Sequence, residues 1–268
     1  MIGEFLFLTT CPPTRCDPDV TVRRIALILR PVLDRLLGDP SHCRWSFQRL
    51  PDVRVGTSVR LSFHAATPVL DALEAQSEQA LEELGWQTST DRELFRADVP
   101  ADRVGMVFST LSSELALALL VESALPAAAK RAFAVTHLLR LVTLVPEADR
   151  ATFLFTCWRD SSARMSRAQR MVIAREADRW DSCPVREDVE FAWDHGRTGQ
   201  WQRYLEAIGE LAADARAAEL PLNYLLFDHA RLTHNRVGIS PDNEGFAAWL
   251  LRSALVNGDI TRREPATV

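Results

Sequence analysis

The period of the hydrophobic pattern changes once along this chain, near Pro100, and that change limits the fold more than any other feature. Before it, stretches with apolar residues at every second position alternate with stretches at helical spacing. Thr57 to His64 is the clearest strand, because Val59, Leu61 and Phe63 alternate with Ser58, Arg60, Ser62 and His64. Period two places Arg60 and His64 together on the polar face while the other face builds core. Glu4 to Thr9, bounded by Cys11-Pro12-Pro13, reads as a strand, as do Cys43 to Leu50 and Trp86 to Arg96. Val20 to Leu37 carries Val22, Ile25, Ile28, Leu29, Val32, Leu33 and Leu36 at helical spacing, with Pro31 a point for a kink. Thr67-Pro68 opens a second helix that ends at Gly85.

After Pro100 helical spacing takes over, in Arg103 to Leu120, Ala127 to Val145, Ala148 to Cys157, Ser166 to Arg179, Gly199 to Ala217, Leu222 to Arg236 and Pro241 to Leu255. Strands followed by a run of helices imply an α+β fold with a helix-rich C-terminal half. The last helix is signalled by Ser240-Pro241 at its start, Glu244 in its first turn and Gly258 beyond its end, and the tail after Ile260 reads as frayed.

With 268 residues, 47% of them hydrophobic, the chain has enough apolar surface for one large core, so residues 1–268 are expected to form a single domain. A formal net charge of -5 disfavours a general nucleic-acid binder, which needs a cationic excess against phosphate. The segment Met1 to Leu8 lacks the basic region of a signal peptide, and nowhere do 18 uncharged apolar residues run together, so a cytoplasmic protein without a membrane span is expected. Cys11, Cys16, Cys43, Cys157 and Cys183 form no CxxC pair and read as reduced thiols, and the first three are spaced more widely than zinc ligands usually are. GxGxxG, Walker A, HExxH, GxSxG and EF-hand patterns are all absent, so neither cofactor nor metal is expected. His229 and His234 stand about 140° apart around a helix of 3.6 residues per turn, so separate roles are expected for them.

Three segments, read in order, carry a resemblance. The first is Arg44-Trp45-Ser46-Phe47-Gln48-Arg49, followed by Gly56-Thr57-Ser58-Val59-Arg60-Leu61-Ser62-Phe63. The second is Asp91-Arg92-Glu93-Leu94-Phe95-Arg96, followed by Gly105-Met106-Val107-Phe108-Ser109-Thr110-Leu111-Ser112-Ser113. The third is Leu225-Leu226-Phe227-Asp228-His229-Ala230-Arg231-Leu232-Thr233-His234-Asn235-Arg236-Val237-Gly238-Ile239, followed by the helix that contains Glu244. Together they resemble the thiopeptide-type bacteriocin biosynthesis family, related to the C-terminal elimination domain of lanthipeptide dehydratases, over about residues 40 to 255.

In such elimination domains a glutamyl ester on serine or threonine leaves after loss of the α-proton, which requires a base and cations that meet the developing charge. The arginines at Arg49, Arg60 and Arg96 fall on family arginines. Ser62 stands where a second strand arginine is common, Ser58 where histidine is common, and Arg231 takes the position of a family histidine. Arginine stays protonated and cannot act as an ordinary base. In this respect the chain resembles the pyridine synthase branch, whose members join two dehydroalanines by a formal four-plus-two aza-cycloaddition with loss of water and of the leader peptide. Such a reaction depends chiefly on holding two distant residues of one peptide together.

The resemblance implies Arg60, Arg96, Arg231 and Asn235 as catalytic residues and Arg49 as a substrate-binding one; His229 and His234, on the same predicted helix as Arg231, are read as catalytic beside them, and His64, on the polar face with Arg60, and Tyr224, near the start of that helix, as substrate-binding. The resemblance also implies a ribosomal precursor peptide, with its leader and dehydroalanine-containing core, as the partner. Alternatives are glutamate elimination by a lyase, and a non-catalytic module that binds the leader. Bland readings stand beside these. In them Asn235-Arg236 is structural, with Arg236 bonding carbonyls near a helix end, and Tyr224 is a core aromatic. The arginine-rich stretch Met165 to Arg179 docks an acidic leader or is a solvated helix face. Trp45, Trp86, Trp158, Trp180, Trp193, Trp201 and Trp249 line a peptide cleft or fill cores. His42, His137 and His195 have no supporting context.

Overall fold

The computed structural model describes residues 2–36, 44–96, 100–120, 125–180 and 195–257. Its contacts divide into two compact units. The sheet unit comprises Met1–Ala124, Gln200–Leu220 and Asn235–Gly238, and the helical unit comprises Leu125–Gly199, Pro221–His234 and Ile239–Val268.

In the sheet unit, strands β1 (Ile2–Cys11), β2 (Arg44–Asp52), β3 (Gly56–Ala65) and β4 (Gln87–Arg96) form an antiparallel sheet in the order β2-β3-β1-β4. Helices α1 (Pro18–Leu36), α2 (Thr67–Glu82) and α3 (Pro100–Leu120) pack on it, α3 against β2, α1 against β3, and α2 against β1, β3 and β4. Register explains which face they cover. Leu6 lies opposite Phe63 and Leu8 opposite Leu61, and Phe47 pairs with Leu61, so the buried Leu6, Leu8, Phe47, Val59, Leu61 and Phe63 all point to the helices. This is the alternation expected for β3, and it leaves Phe5, Phe7, Arg60, Ser62 and His64 on the opposite face. Helix α1 continues through Pro31.

One described segment, Arg103–Leu120 of α3, is long and apolar enough to cross a membrane, and 44% of it is buried within the protein. Its hydroxyls are turned into the sheet unit: Ser113 Oγ accepts a bond from the Phe47 amide at 3.2 Å, and Ser112 is fully buried.

The helical unit contains α4 (Ala127–Leu144), a 3-10 turn (Glu147–Asp149), α5 (Arg150–Ser162) and α6 (Arg167–Arg179), with α9 (Pro241–Val256) packed against α4, α5 and α6. Between them in sequence come α7 (His195–Ala217) and α8 (Leu222–Val237), each of which contributes residues to both units. Helix α6 starts with a complete capping box, Ser166 accepting from the Gln169 amide and Gln169 accepting from the Ser166 amide. Ser240 caps α9 through the Asn243 amide. Helix α5 runs beyond the expected Cys157 to Ser162 because Ser161 bonds back to the carbonyls of Cys157 and Trp158, so a polar residue can occupy the buried side. The expectations placed on Cys43, Cys183, His42, Trp193, Gly258 and the tail after Ile260 lie outside the described residues.

Candidate active site

The open face of β3 and β1 carries the first group of expected residues. Phe5 and Phe7 stack with ring centroids 5.6 Å apart. The Arg60 guanidinium lies 4.1 Å above the Phe7 centroid, and His64 tilts against Phe5 at 5.1 Å. A cation over an aromatic face is attracted by the ring quadrupole. The Arg60 Nε is buried, and among the described residues it has no hydrogen-bond acceptor. Burial, and to a lesser extent the charge of Arg44, push the His64 imidazole below its ordinary pKa. A half-buried cation and a neutral imidazole thus share one face, four residues apart on β3. Arg96 lies opposite Ile2 at the end of the β1–β4 ladder, and its side chain lies outside the described residues.

Arg49 and Asn235 are brought together, but in the service of the fold. Asn235 accepts from the Arg49 amide at 2.9 Å and donates to the Arg49 carbonyl at 3.0 Å, so both ends of its amide are occupied. Arg49 is buried, donates from Nε to the Arg236 carbonyl at 2.9 Å, and pairs with Asp19 at 2.6 Å. Burial pulls its pKa down and Asp19 opposes that. Arg236, also buried, donates to the Phe47 carbonyl at 2.7 Å and to Ser112 at 2.5 Å. Strand β2 is a sheet edge, and its outward amides and carbonyls at Phe47 and Arg49 are met by side chains from α3 and α8, which closes an edge otherwise open to foreign strands. Arg49, expected to bind substrate, and Asn235, expected to be catalytic, are both bonded within this clamp.

The clamp requires Gly238. Helix α8 ends in a Schellman motif, with the Ile239 amide bonded to the His234 carbonyl at 2.9 Å and the Gly238 amide to the Asn235 carbonyl at 3.1 Å. Gly238 has φ +80, and a Cβ there would fall 2.7 Å from an Arg49 nitrogen and 2.9 Å from Asp19. Only glycine satisfies both the turn and the close approach.

The helical unit holds the second group. His234 and His229 are both buried, each 2% exposed, and both meet His137. His137 Nδ1 lies 3.1 Å from His234 Nε2, and His234 Nδ1 lies 3.1 Å from Glu244 Oε1. The rings of His137 and His229 meet edge to face at 5.9 Å. From positions five apart on α8, His229 and His234 both converge on one imidazole of α4, His234 through a hydrogen bond and His229 through a ring contact. Burial first, then the neighbouring His234 and His229, push His137 well below its ordinary pKa. The two ring nitrogens of His234 thus bridge the His137 imidazole and the Glu244 carboxylate, with the donor at each link set by the tautomer. Glu244 is partly exposed, so this chain links the unit's interior to its surface.

Arg231 is half exposed and pairs with Asp228 at 3.0 Å. That hydrogen bond holds its pKa above the ordinary arginine value, with the charges of Asp228, Asp160 and Glu244 adding to the effect. Tyr224 is 66% exposed, which removes the core-aromatic alternative. Sequence reasoning missed His137, although a signal was present: it follows Phe133 and Ala134 and precedes Leu138 and Leu141 on the apolar stripe of α4, where an unpartnered imidazole would be costly. It also passed over Phe5 and Phe7, whose roles depend on strand register. Among the described residues no group of three histidine, cysteine, aspartate or glutamate side chains is arranged to hold a metal ion.

No family model matches the sequence, and no curated protein matches it. Solved structures do. The tRNA dependent lantibiotic dehydratase MibB from Microbispora sp. 107891 aligns with a TM-score of 0.58 at 16% identity, over 97% of this chain and 28% of that one. The pyridine synthase TbtD from thiomuracin biosynthesis aligns at 0.50 and 18% identity, over 95% of this chain and 98% of that one. The chain has the fold that these two share. TsrL aligns at 0.50 and 12% identity, over 98% of this chain and 100% of TsrL. The shared fold includes the expected α+β arrangement with a helix-rich C-terminal half, and the chain spans under a third of the lantibiotic dehydratase.

Proposed function

We propose that this chain is a catalytic domain that tailors a ribosomally made peptide, joining two dehydroalanines into a pyridine by a formal four-plus-two aza-cycloaddition. The observation that carries this reading is the Arg231 guanidinium, which Asp228 holds in its charged form at the position where the resembling elimination domains have histidine. A permanent cation there cannot remove an α-proton, but it can polarise a carbonyl. The fold shared with a pyridine synthase supports the same choice.

The reaction balances without an oxidant. One backbone amide shifts to its iminol, giving a 2-azadiene, and the second alkene adds across it to close a six-membered ring. The former amide oxygen then leaves as water, and the ring becomes aromatic as the leader departs as a carboxamide. Arg60, whose buried Nε has no acceptor among the described residues, suits a hydrogen bond to an oxygen of the peptide substrate. The His234–Glu244 pair suits the proton transfers that the tautomer shift and the water loss require. Arg96 remains a candidate cation on the strength of the resemblance.

Mass spectrometry of two peptides tests the reading. A bis-dehydroalanine precursor should yield a pyridine macrocycle and a leader carboxamide, while a glutamylated serine peptide should remain unchanged. Arg60→Ala, Arg96→Ala and Arg231→Ala should slow turnover more than they weaken binding. Efficient glutamate loss without cyclisation would install the elimination reading. Binding of both peptides with no change in mass would make the chain a leader-binding module.

A further inference from the structure

The helical unit carries a surface groove of about 370 Å³ lined by Trp158 of α5, Arg167, Arg170, Met171 and Ala174 of α6, and Trp249 of α9. We infer that this groove binds an acidic peptide segment carrying a large apolar side chain. Trp158 and Trp249 meet edge to face at 5.1 Å, and Trp249 is fixed by a 3.0 Å bond from its indole N–H to Asp178. They form a rigid aromatic wall. Met171, 45% exposed, supplies an adaptable apolar surface beside it, a combination that suits a single inserted side chain.

The rim decides the charge of the occupant. Helix α6 contains four arginines, Arg167, Arg170, Arg175 and Arg179, against two acids, in a chain whose net charge is -5. Both acids are engaged, Glu176 with Arg131 at 3.3 Å and Asp178 with Trp249. Arg167 and Arg170 are exposed, and among the described residues neither has an ion-pair partner. Arg167 stands directly after the Ser166 cap, in the first turn, where a cation opposes the helix dipole. Helix stability does not call for arginine at that position, whereas a carboxylate ligand does, because guanidinium groups grip carboxylates in bidentate fashion. The occupant's class rests on the peptide-tailoring reading above. The groove is assigned to an acidic stretch of the peptide substrate outside the residues that react.

The test uses the full chain and three short fluorescein-labelled probes: a peptide alternating glutamate and leucine, one alternating glutamate and serine, and one alternating lysine and leucine. The glutamate–leucine peptide should bind best by fluorescence anisotropy. The double variant Arg167→Glu/Arg170→Glu should weaken it at least tenfold, and Met171→Asp should weaken it without changing the ranking of the probes. Charge reversal in the first turn of α6 favours the helix, so lost binding would not reflect unfolding. Unchanged affinity in the double variant would overturn the inference, as would preference for the lysine–leucine peptide or displacement of the acidic peptide by single-stranded oligonucleotide. Conversion of a leaderless bis-dehydroalanine peptide, measured in parallel, separates the two claims: if it proceeds while the groove binds nothing, only the groove assignment falls.

Discussion

In the sheet unit the large buried polar side chains are guanidinium groups, Arg49 and Arg236, whereas in the helical unit they are imidazoles, His137, His229 and His234. The first pair keeps its charge when buried and meets it with Asp19 and with backbone carbonyls at the end of α8 and the edge of β2. In the second set burial pushes the His137 pKa down, and His137 and His234 form a hydrogen-bonded chain that ends on Glu244. Fixed guanidinium charge gives the clamp a geometry that does not depend on the titration of a histidine. Titratable groups give the helical unit the capacity to move protons, together with a sensitivity to acid.

The largest effect should come from breaking the fixed charge. Asp19→Asn leaves Arg49 buried without an anion, which costs about 3–5 kcal/mol for a buried pair broken on one side. Asp228→Asn removes the partner of the half-exposed Arg231, and a pair of that kind is worth about 0–1 kcal/mol. Urea unfolding of the two variants measures the difference, and peptide-resolved hydrogen exchange should place the loss for Asp19→Asn in α1 and β2. If the two variants were equally stable, the clamp would be dispensable.

Much of the fold was legible in the sequence because periodicity reports directly on burial. Val59, Leu61 and Phe63 fixed the inner face of β3, and Ser240-Pro241 fixed the start of α9. The candidate site was less legible, since its meaning depends on contacts between residues distant in sequence. Arg49, Arg60 and Arg231 look alike in the sequence, yet one is a buried ion-pair partner, one lies over an aromatic ring, and one is tied to a neighbour on its own helix. Which environment each receives depends on Asp19, on Phe7 in register across the sheet, and on Asp228 three residues away. Only the last was visible from spacing. The convergence of His229 and His234 was hidden for the same reason, because helical angles say nothing of a third histidine arriving on α4.

Acid should separate the two units next. The His137 pKa is depressed in the folded state, so below about pH 6.5, the ordinary histidine value, the unfolded chain takes up a proton that the native chain refuses. Stability contributed by neutral His137 is therefore present above that pH and is lost as pH falls through it, by up to about 1.4 kcal/mol per pH unit for one proton. Hydrogen exchange between pH 7.5 and 5.5 should show α4, α8 and α9 loosening before β2 and α1. The variant His137→Gln, which carries no such proton, should flatten the difference. Loosening of β2 ahead of α4 would reverse the comparison.

The smallest effect is chemical and concerns one thiol from each unit. Cys157 lies buried on α5, where desolvation first, then the charges of Glu244 and Asp160, push its pKa up to about 12. At pH 8 about one such thiol in ten thousand is the reactive thiolate, against about a quarter for an ordinary exposed thiol. Cys16, partly exposed in the sheet unit with its sulfur 2.8 Å from the Thr21 hydroxyl, has no such burial to overcome. Brief iodoacetamide treatment of the native protein followed by peptide mapping should therefore mark Cys16 and leave Cys157 unmodified until denaturant is added. The Glu244→Gln variant removes one of the two negative charges but not the burial, which is the larger cause. It should therefore leave Cys157 protected. Rapid labelling of Cys157 in that variant would mean that the carboxylate at the end of the histidine chain, and not packing, keeps this part of the helical unit closed.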